Sequence, residues 1–298
     1  MNLTTAKRYI EQIAMAGAKV CILVGGEPTI YPNLLQLIEF MSALGIKAKL
    51  MSNGRRLAQL DFVRQLKAAG IVHCSISIEG TSAVHDNVTR ISGSFDQAIR
   101  GLKNCQAEGV SVNSITTVGA YNLDNIPDLV LFFQNLGLRR SAFNMCSAQP
   151  SGYQDNHDDG IINLATYARL VENIGLSYDF VNFYALIPLC LFDQNKLEQL
   201  LQLGRLNVAC ALFDNVVTVD PEGNLVPCTH MAGLSYGNLN DLGAVDKFLA
   251  RKELEREYLR THAPSEKCIA CKLWNTCLGG CNLIWFSRRA QDNIPGIT

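Results

Sequence analysis

The sequence predicts a parallel α/β fold followed by a smaller, cysteine-rich C-terminal domain. Helix-period and strand-period apolar patterns alternate through about the first half of the chain. The alternation stops after about residue 147. Six of the 11 cysteines then fall after residue 209.

The elements justify this reading in order. Tyr9, Ile10, Ile13 and Ala14 form a helical stripe, and Gly17 suits its C-terminal cap. Lys19–Val24 reads as a buried strand. A helix over Asn33–Leu44 stops at Gly45, and Ile46–Met51 is the next strand. Leu60–Ala69 is helical, Ile71–Ile78 a strand, Ser94–Glu108 a helix and Val110–Thr117 a strand. Pro127 suits the first position of another helix, and a strand follows near Arg140–Cys146. Repeated helix–strand steps require crossover helices between parallel strands. A β/α barrel and a doubly wound sheet both fit. The chain begins in a helix, so a first strand is expected to be missing.

Beyond residue 147, Ser151–Gly160 is polar and turn-rich, and reads as a loop. Helices are expected near Asn163–Asn173, Asn195–Leu203 and Asp241–Tyr258. Phe213–Val219 and Asn224–Val226 flank the turn Asp220-Pro221-Glu222-Gly223, a hairpin signal. The expected domains are residues 1–180 and 181–298.

Composition narrows the function. Hydrophobic residues make up 48% of the 298, enough for a sizeable core. The net charge is −1 and no lysine or arginine block occurs, so no nucleic-acid partner is expected. The longest apolar run, Phe183–Phe192, contains Pro188 and is too short to cross a bilayer. No signal-peptide core is visible, so no membrane association and a cytoplasmic location are expected. In that compartment clustered cysteines favour metal binding or catalysis over disulfides.

In parallel α/β folds the chemistry sits at the C-terminal ends of the strands. The first two expected strands run into Gly25-Gly26-Glu27-Pro28-Thr29 and Ser52-Asn53-Gly54, and the third closes in Ser77-Ile78-Glu79-Gly80. Small residues admit a ligand to the backbone, and carboxylates accept from an amine or a ribose hydroxyl. Each stretch alone is ordinary turn chemistry; three on one edge suggest a small-molecule pocket. No G-x-G-x-x-G or Walker loop is present.

The C-terminal cysteines speak more strongly. Cys268, Cys271, Cys277 and Cys281 spell C-x2-C-x5-C-x3-C, and Cys210, Gly223 and Cys228 spell C-x12-G-x4-C. Such spacing gathers thiolates around a soft metal, with structural zinc and iron–sulfur both open. Cys21, Cys74, Cys105 and Cys146 read as core cysteines. His230 reads as a solvated loop residue. Cys190 reads equally as a core cysteine and as a ligand.

Together these motifs resemble the radical S-adenosylmethionine (SAM) superfamily, in its SPASM subgroup. Gly25–Thr29 is similar to the motif that contacts the methionine amino group, which falls to Gly25, Gly26 and Glu27. Ser52, Asn53 and Gly54 match the segment after the next strand. Ser77 and Glu79 match the position that holds the SAM ribose, and Arg90 lies in a further family-like stretch. Cys210 through Cys281 matches the SPASM signature, apart from its final cysteine.

The resemblance implies a partial parallel β/α barrel, radical SAM-like with its first strand missing, followed by a small SPASM-type domain. The implied cofactors are SAM and auxiliary [4Fe–4S] clusters. It also implies an electron donor such as flavodoxin or ferredoxin. The implied activity is modification of a peptide or small protein through a 5′-deoxyadenosyl radical. Family pairing assigns Cys210, Cys228 and Cys281 to one cluster, with Cys190 as its candidate fourth ligand. It assigns Cys268, Cys271 and Cys277 to the other.

The family's C-x3-C-x2-C is expected before the helix at residue 5, and the 298 residues contain none. That leaves a late recorded start, a broken gene or a degenerate relative. The alternative function is therefore a non-catalytic iron–sulfur or zinc protein, acting as a scaffold or electron-transfer partner.

Overall fold

The computed structural model describes residues 1–146, 160–184, 186–208, 210, 214–262, 266–281 and 283–284. They form two compact units. One comprises Met1–Thr116 with Asn122–Ala142, the other Thr117–Tyr121 with Phe143–Thr298.

The first unit is built by helix–strand repetition. Helix α1 (Leu3–Met15) starts at Asn2, whose side chain accepts from the Thr5 amide. Past its end Gly17 takes φ +93°, as a helix C-terminus favours. Strand β1 (Val20–Leu23), helix α2 (Leu34–Ala43), strand β2 (Lys47–Ser52), helix α3 (Leu60–Ala69) and strand β3 (Ile71–Ser77) follow. Then come α4 (Ser82–Thr89), α5 (Ser94–Ala107), β4 (Ser111–Val118), α6 (Ile126–Asn135) and β5 (Ser141–Met145). Helix α2 buries Leu34, Leu37, Ile38 and Met41, the single stripe that a half-buried helix requires.

The second unit continues with α7 (Leu164–Ser177), β6 (Val181–Tyr184), α8 (Gln194–Gln202) and β7 (Leu206–Asn207). A hairpin of β8 (Thr218–Val219) and β9 (Leu225–Val226) follows, then α9 (Ala244–Thr261), α10 (Glu266–Ile269) and α11 (Trp274–Cys277). The Asp220–Gly223 turn forms as expected. The Gly223 amide donates to the Asp220 carbonyl at 3.0 Å, and Asp220 Oδ1 accepts from the Glu222 and Asn224 amides.

Strands β1 to β7 lie in sequential order in one sheet, the order of a partial β/α barrel. Neighbours β1–β2, β2–β3, β3–β4 and β6–β7 are parallel. In the first unit the two sheet faces differ. Ala48, Leu50, Cys74 and Ile76 are wholly buried on the helix side. The opposite face is polar: Ser75 Oγ and His73 Nε2 both lie 2.7 Å from Asn113 Oδ1. A parallel sheet covered on both faces would be apolar on both. The polar face therefore belongs to a solvated interior.

Three expectations change. Strand β1 is not buried: Val20, Ile22 and Val24 are 43%, 53% and 44% exposed, because β1 is the edge strand of the sheet. Helix α4 was not expected, because SAVHDNVT has no apolar stripe. Strands β6 and β7, of four and two residues, are too short to show a period. The Ser151–Gly160 loop and the Phe213 start of the hairpin lie outside the described residues, apart from Gly160.

One glycine is set by packing. A Cβ on Gly101 would lie 2.5 Å from the Gly54 carbonyl oxygen and 2.9 Å from Leu57 Cβ. Alanine in a helix interior ordinarily gains ~0.5–1 kcal/mol over glycine. Here overpacking, ~1–3 kcal/mol, reverses the sign. Gly101→Ala is expected to destabilise the chain by about 1–2 kcal/mol, read as a lower urea midpoint with an unchanged slope.

Candidate functional site

The first two strand ends are joined through one carboxylate. Glu27 caps the short 3-10 turn Pro28–Ile30. Its Oε1 accepts from the Thr29 amide at 3.0 Å, the Thr29 hydroxyl at 2.6 Å and the Ser52 hydroxyl at 2.8 Å. Its Oε2 accepts from the Asn53 amide at 2.7 Å. A carboxylate has about four acceptor sites, and these bonds engage that capacity. Ser52 Oγ in turn accepts from the Gly54 amide at 3.0 Å. Arg56 donates to the Thr29 carbonyl and stacks on Phe62, 4.0 Å from the ring centroid.

The two glycines before Glu27 are left open. A Cβ on Gly25 or Gly26 would meet no other atom within 4 Å. Gly25 needs glycine for its φ of +141°. Gly26 has no such backbone reason, so the space beside it is room for a ligand to reach the main chain.

The third strand end is held from behind. The Glu79 amide donates to His85 Nδ1 at 3.0 Å, and the Glu79 carbonyl accepts from Asn122 Nδ2 at 2.7 Å. The Thr81 amide donates to Asn125 Oδ1 at 2.7 Å. His85 and Asn122 are both buried, so the residue that should carry the ribose contact has both of its main-chain groups fixed by buried side chains. Burial lowers the His85 pKa, with Asp86 opposing it. Asp86 also ties down the next loop, accepting from the Gly93 and Phe95 amides and the Ser94 hydroxyl. Those bonds hold the Asp86 carboxyl below its ordinary value. Arg90 sits in that loop at φ +57°, a conformation a non-glycine residue rarely adopts. The sequence reading missed His85, Asp86, Asn122 and Asn125. They act on main-chain groups, and no spacing rule marks such partners.

The C-terminal thiols form two groups. Burial, then the nearby Cys277, Cys268 and Cys271 thiols, push the Cys190 thiol up. The Leu189 amide donates to Cys277 Sγ at 3.3 Å, which sets the segment before Cys190 against that thiol. Burial raises Cys281 to about 11, and Cys210 and Cys228 contribute. The Cys281 amide is bonded to the Leu186 carbonyl at 2.7 Å. Cys281 thus neighbours Cys210 and Cys228, and Cys190 neighbours Cys277, Cys268 and Cys271. Among the described residues no three His, Cys, Asp or Glu side chains are close enough to hold a single metal ion. The donors in each group are thiols, which suit a soft, multinuclear centre.

The remaining cysteines behave as expected where their surroundings are given. Cys74 and Cys105 are fully buried, and burial raises Cys21 to about 11. His230 lies exposed in the turn Thr229–Met231.

Glu27→Ala strands the Asn53 and Thr29 amides and the buried Ser52 hydroxyl. Unsatisfied buried groups cost ~1–3 kcal/mol each. The variant is expected to lose about 2–4 kcal/mol in urea unfolding. His85 gives a pH signature. Its folded pKa lies below the ordinary 6.5, so on acidification from there the unfolded chain takes up the proton first. The stability contributed above that pH is lost as pH falls toward the folded value. His85→Gln should flatten this part of the stability–pH curve, measured by denaturation between about pH 5 and 8.

Residues 1–133 match the Radical SAM superfamily. An AdoMet-dependent heme synthase of Oleidesulfovibrio alaskensis is 26% identical over 303 aligned positions, covering 96% of this chain and 76% of the relative. A heme synthase of Methanosarcina barkeri is 30% identical over 57% of this chain, which spans about half (48%) of that relative's length. The mycofactocin maturase MftC of Mycobacterium ulcerans is 27% identical over 86% of this chain and 68% of its own. Among solved structures, anSMEcpe with bound AdoMet and a peptide superposes with a TM-score of 0.72 at 17% identity, over 99% of this chain and 83% of that one. Streptococcus suis SuiB superposes with a TM-score of 0.68 at 17% identity, over 98% and 69%. These likenesses agree with a partial β/α barrel followed by a SPASM-type domain. The superfamily's cofactors are SAM and [4Fe–4S] clusters. The fold of residues 1–133 agrees with their match to the radical SAM superfamily.

Proposed function

We propose that the protein is a radical SAM/SPASM maturase that modifies a peptide or small protein. The observation that carries this is the Glu27 lock, which fixes two strand-end loops and leaves Gly25 and Gly26 open beside them. In this reading the main chain of Gly25, Gly26 and Glu27 takes the methionine ammonium of SAM. Ser52 and Asn53 hold that loop, while Ser77 and Glu79 meet the ribose. When bound and reduced, SAM supplies the radical chemistry. The chain's own work is to position the cofactor and exclude water from it. The MftC relatives and the peptide-bound anSMEcpe and SuiB structures support a peptide substrate. An electron donor such as flavodoxin or ferredoxin, a cytoplasmic location and a domain boundary near residue 180 belong to the same proposal. Among the described residues no helix is long and apolar enough to cross a membrane.

The auxiliary domain holds two [4Fe–4S] sites in this reading. Cys190, Cys268, Cys271 and Cys277 give one a full set of four thiolates. Cys210, Cys228 and Cys281 give the other three. The family pairing had instead left the Cys268 group with three thiolates.

Calorimetry on the 298-residue polypeptide should detect SAM binding, weakened at least ten-fold by Glu27→Ala and less by Glu79→Ala. No binding would remove the proposal. With reconstituted clusters and a strong reductant the same polypeptide should release no 5′-deoxyadenosine above a protein-free control. Release would mean that other cysteines anchor a catalytic cluster. Under a chelator, the Cys210–Cys228–Cys281 site should lose iron first. Cys190→Ser should make the Cys268 group comparably labile. Iron and sulfide analysis with Mössbauer spectra reads both. Unchanged iron in Cys190→Ser would remove Cys190 from the ligands.

A further inference from the structure

Helix α9 carries a cation in its buried face. Lys252 is only 3% exposed, where lysine is rarely found without compensation. Its ammonium donates to the Asp214 carbonyl at 2.5 Å and to the Val216 carbonyl at 2.8 Å, and lies 5.5 Å from the Phe248 ring centroid. The Asp214 amide is itself bonded to the Cys210 carbonyl at 3.1 Å. Lys252 therefore holds the main chain at Asp214 and Val216, and Asp214 is bonded in turn to Cys210.

Carbonyls and a ring face orient an ammonium without neutralising it. Burial lowers the Lys252 pKa, and Asp214, Cys210, Cys228 and Glu255, in that order, oppose it. Glu255 is shared with the Tyr236 hydroxyl at 2.8 Å and with Arg251 at 3.5 Å. Two of the four groups are thus thiols of the three-cysteine site. With metal bound these sulfurs are thiolates, and the buried cation gains countercharges. In a low-dielectric setting such a pair interacts far more strongly than at the surface.

We propose that Lys252 is the built-in counter-charge of the Cys210–Cys228–Cys281 cluster and sets its reduction potential. The inference rests on the iron–sulfur reading given above. On reduction the cluster takes up one electron, and its net charge falls by one. A fixed cation nearby stabilises that form more than the oxidised one, so it raises the potential.

The test is an anaerobic redox titration of the reconstituted 298-residue polypeptide, with dithionite as reductant and the clusters followed by electron paramagnetic resonance. Lys252→Gln keeps side-chain N–H donors for the two carbonyls and removes the charge. It should move one cluster's midpoint to more negative potential and leave the other in place. Lys252→Arg should restore the shifted midpoint. If the Gln variant does not fold, Lys252→Met replaces it, with the same shift expected. Unchanged midpoints in a folded neutral variant, or an equal shift of both clusters, would overturn the proposal. Zinc, or no metal, in the reconstituted parent protein would overturn the cluster reading itself, a result distinguishable from a failed shift.

Discussion

Four donors converge on the Glu27 carboxylate, and the geometry of the first two strand-end loops depends on that convergence. A strand end in a parallel sheet exposes main-chain groups that the ladder no longer pairs. Here the Thr29 and Asn53 amides and two hydroxyls, from successive strand–helix connections, are satisfied by one anion. Bonds to a charged acceptor are roughly twice as strong as neutral ones. A single side chain thus fixes the spacing of two loops 26 residues apart in sequence. It also redefines what this acid does. Its carboxylate is engaged by the loops' own donors.

The third loop is made by a different device with the same result. Buried His85 and Asn122 hold the amide and carbonyl of Glu79 from opposite sides. The imidazole must be neutral at Nδ1 to accept, which couples the loop to pH. Helix α5 then closes on the second loop through Gly101, whose missing Cβ lets the helix backbone reach the Gly54 carbonyl. The three loops are therefore rigid for three separate reasons: a saturated anion, a clamped peptide and a glycine contact.

How much of this was legible follows from what carries each feature. The alternation of helices and strands up to β5 could be read because each element is long enough to show its period. Helix α4 could not, because it is held by its caps and by buried His85 rather than by an apolar stripe. The burial of β1 was misread: Val20 and Ile22 look like interior residues, and only the strand order makes their face an edge. At the site, Gly25–Thr29 and Ser52–Gly54 stood out by composition. The partners His85, Asp86 and Asn122 did not, since a side chain bonded to a distant amide leaves no local pattern.

The cysteines show the same limit more sharply. Spacing gathered Cys268, Cys271, Cys277 and Cys281 into one run and left Cys190, 78 positions before Cys268 by residue number, open. The turn at Leu189–Leu191 follows β6, and the Leu189 amide reaches the Cys277 sulfur. Spacing carries no sign of that contact. Nor could it single out Lys252, a lysine in a helix rich in charged residues. Burial separates that lysine from its neighbours on α9. A cation held on two carbonyls beside two thiols is costly while those sulfurs stay protonated, and well placed once they carry charge.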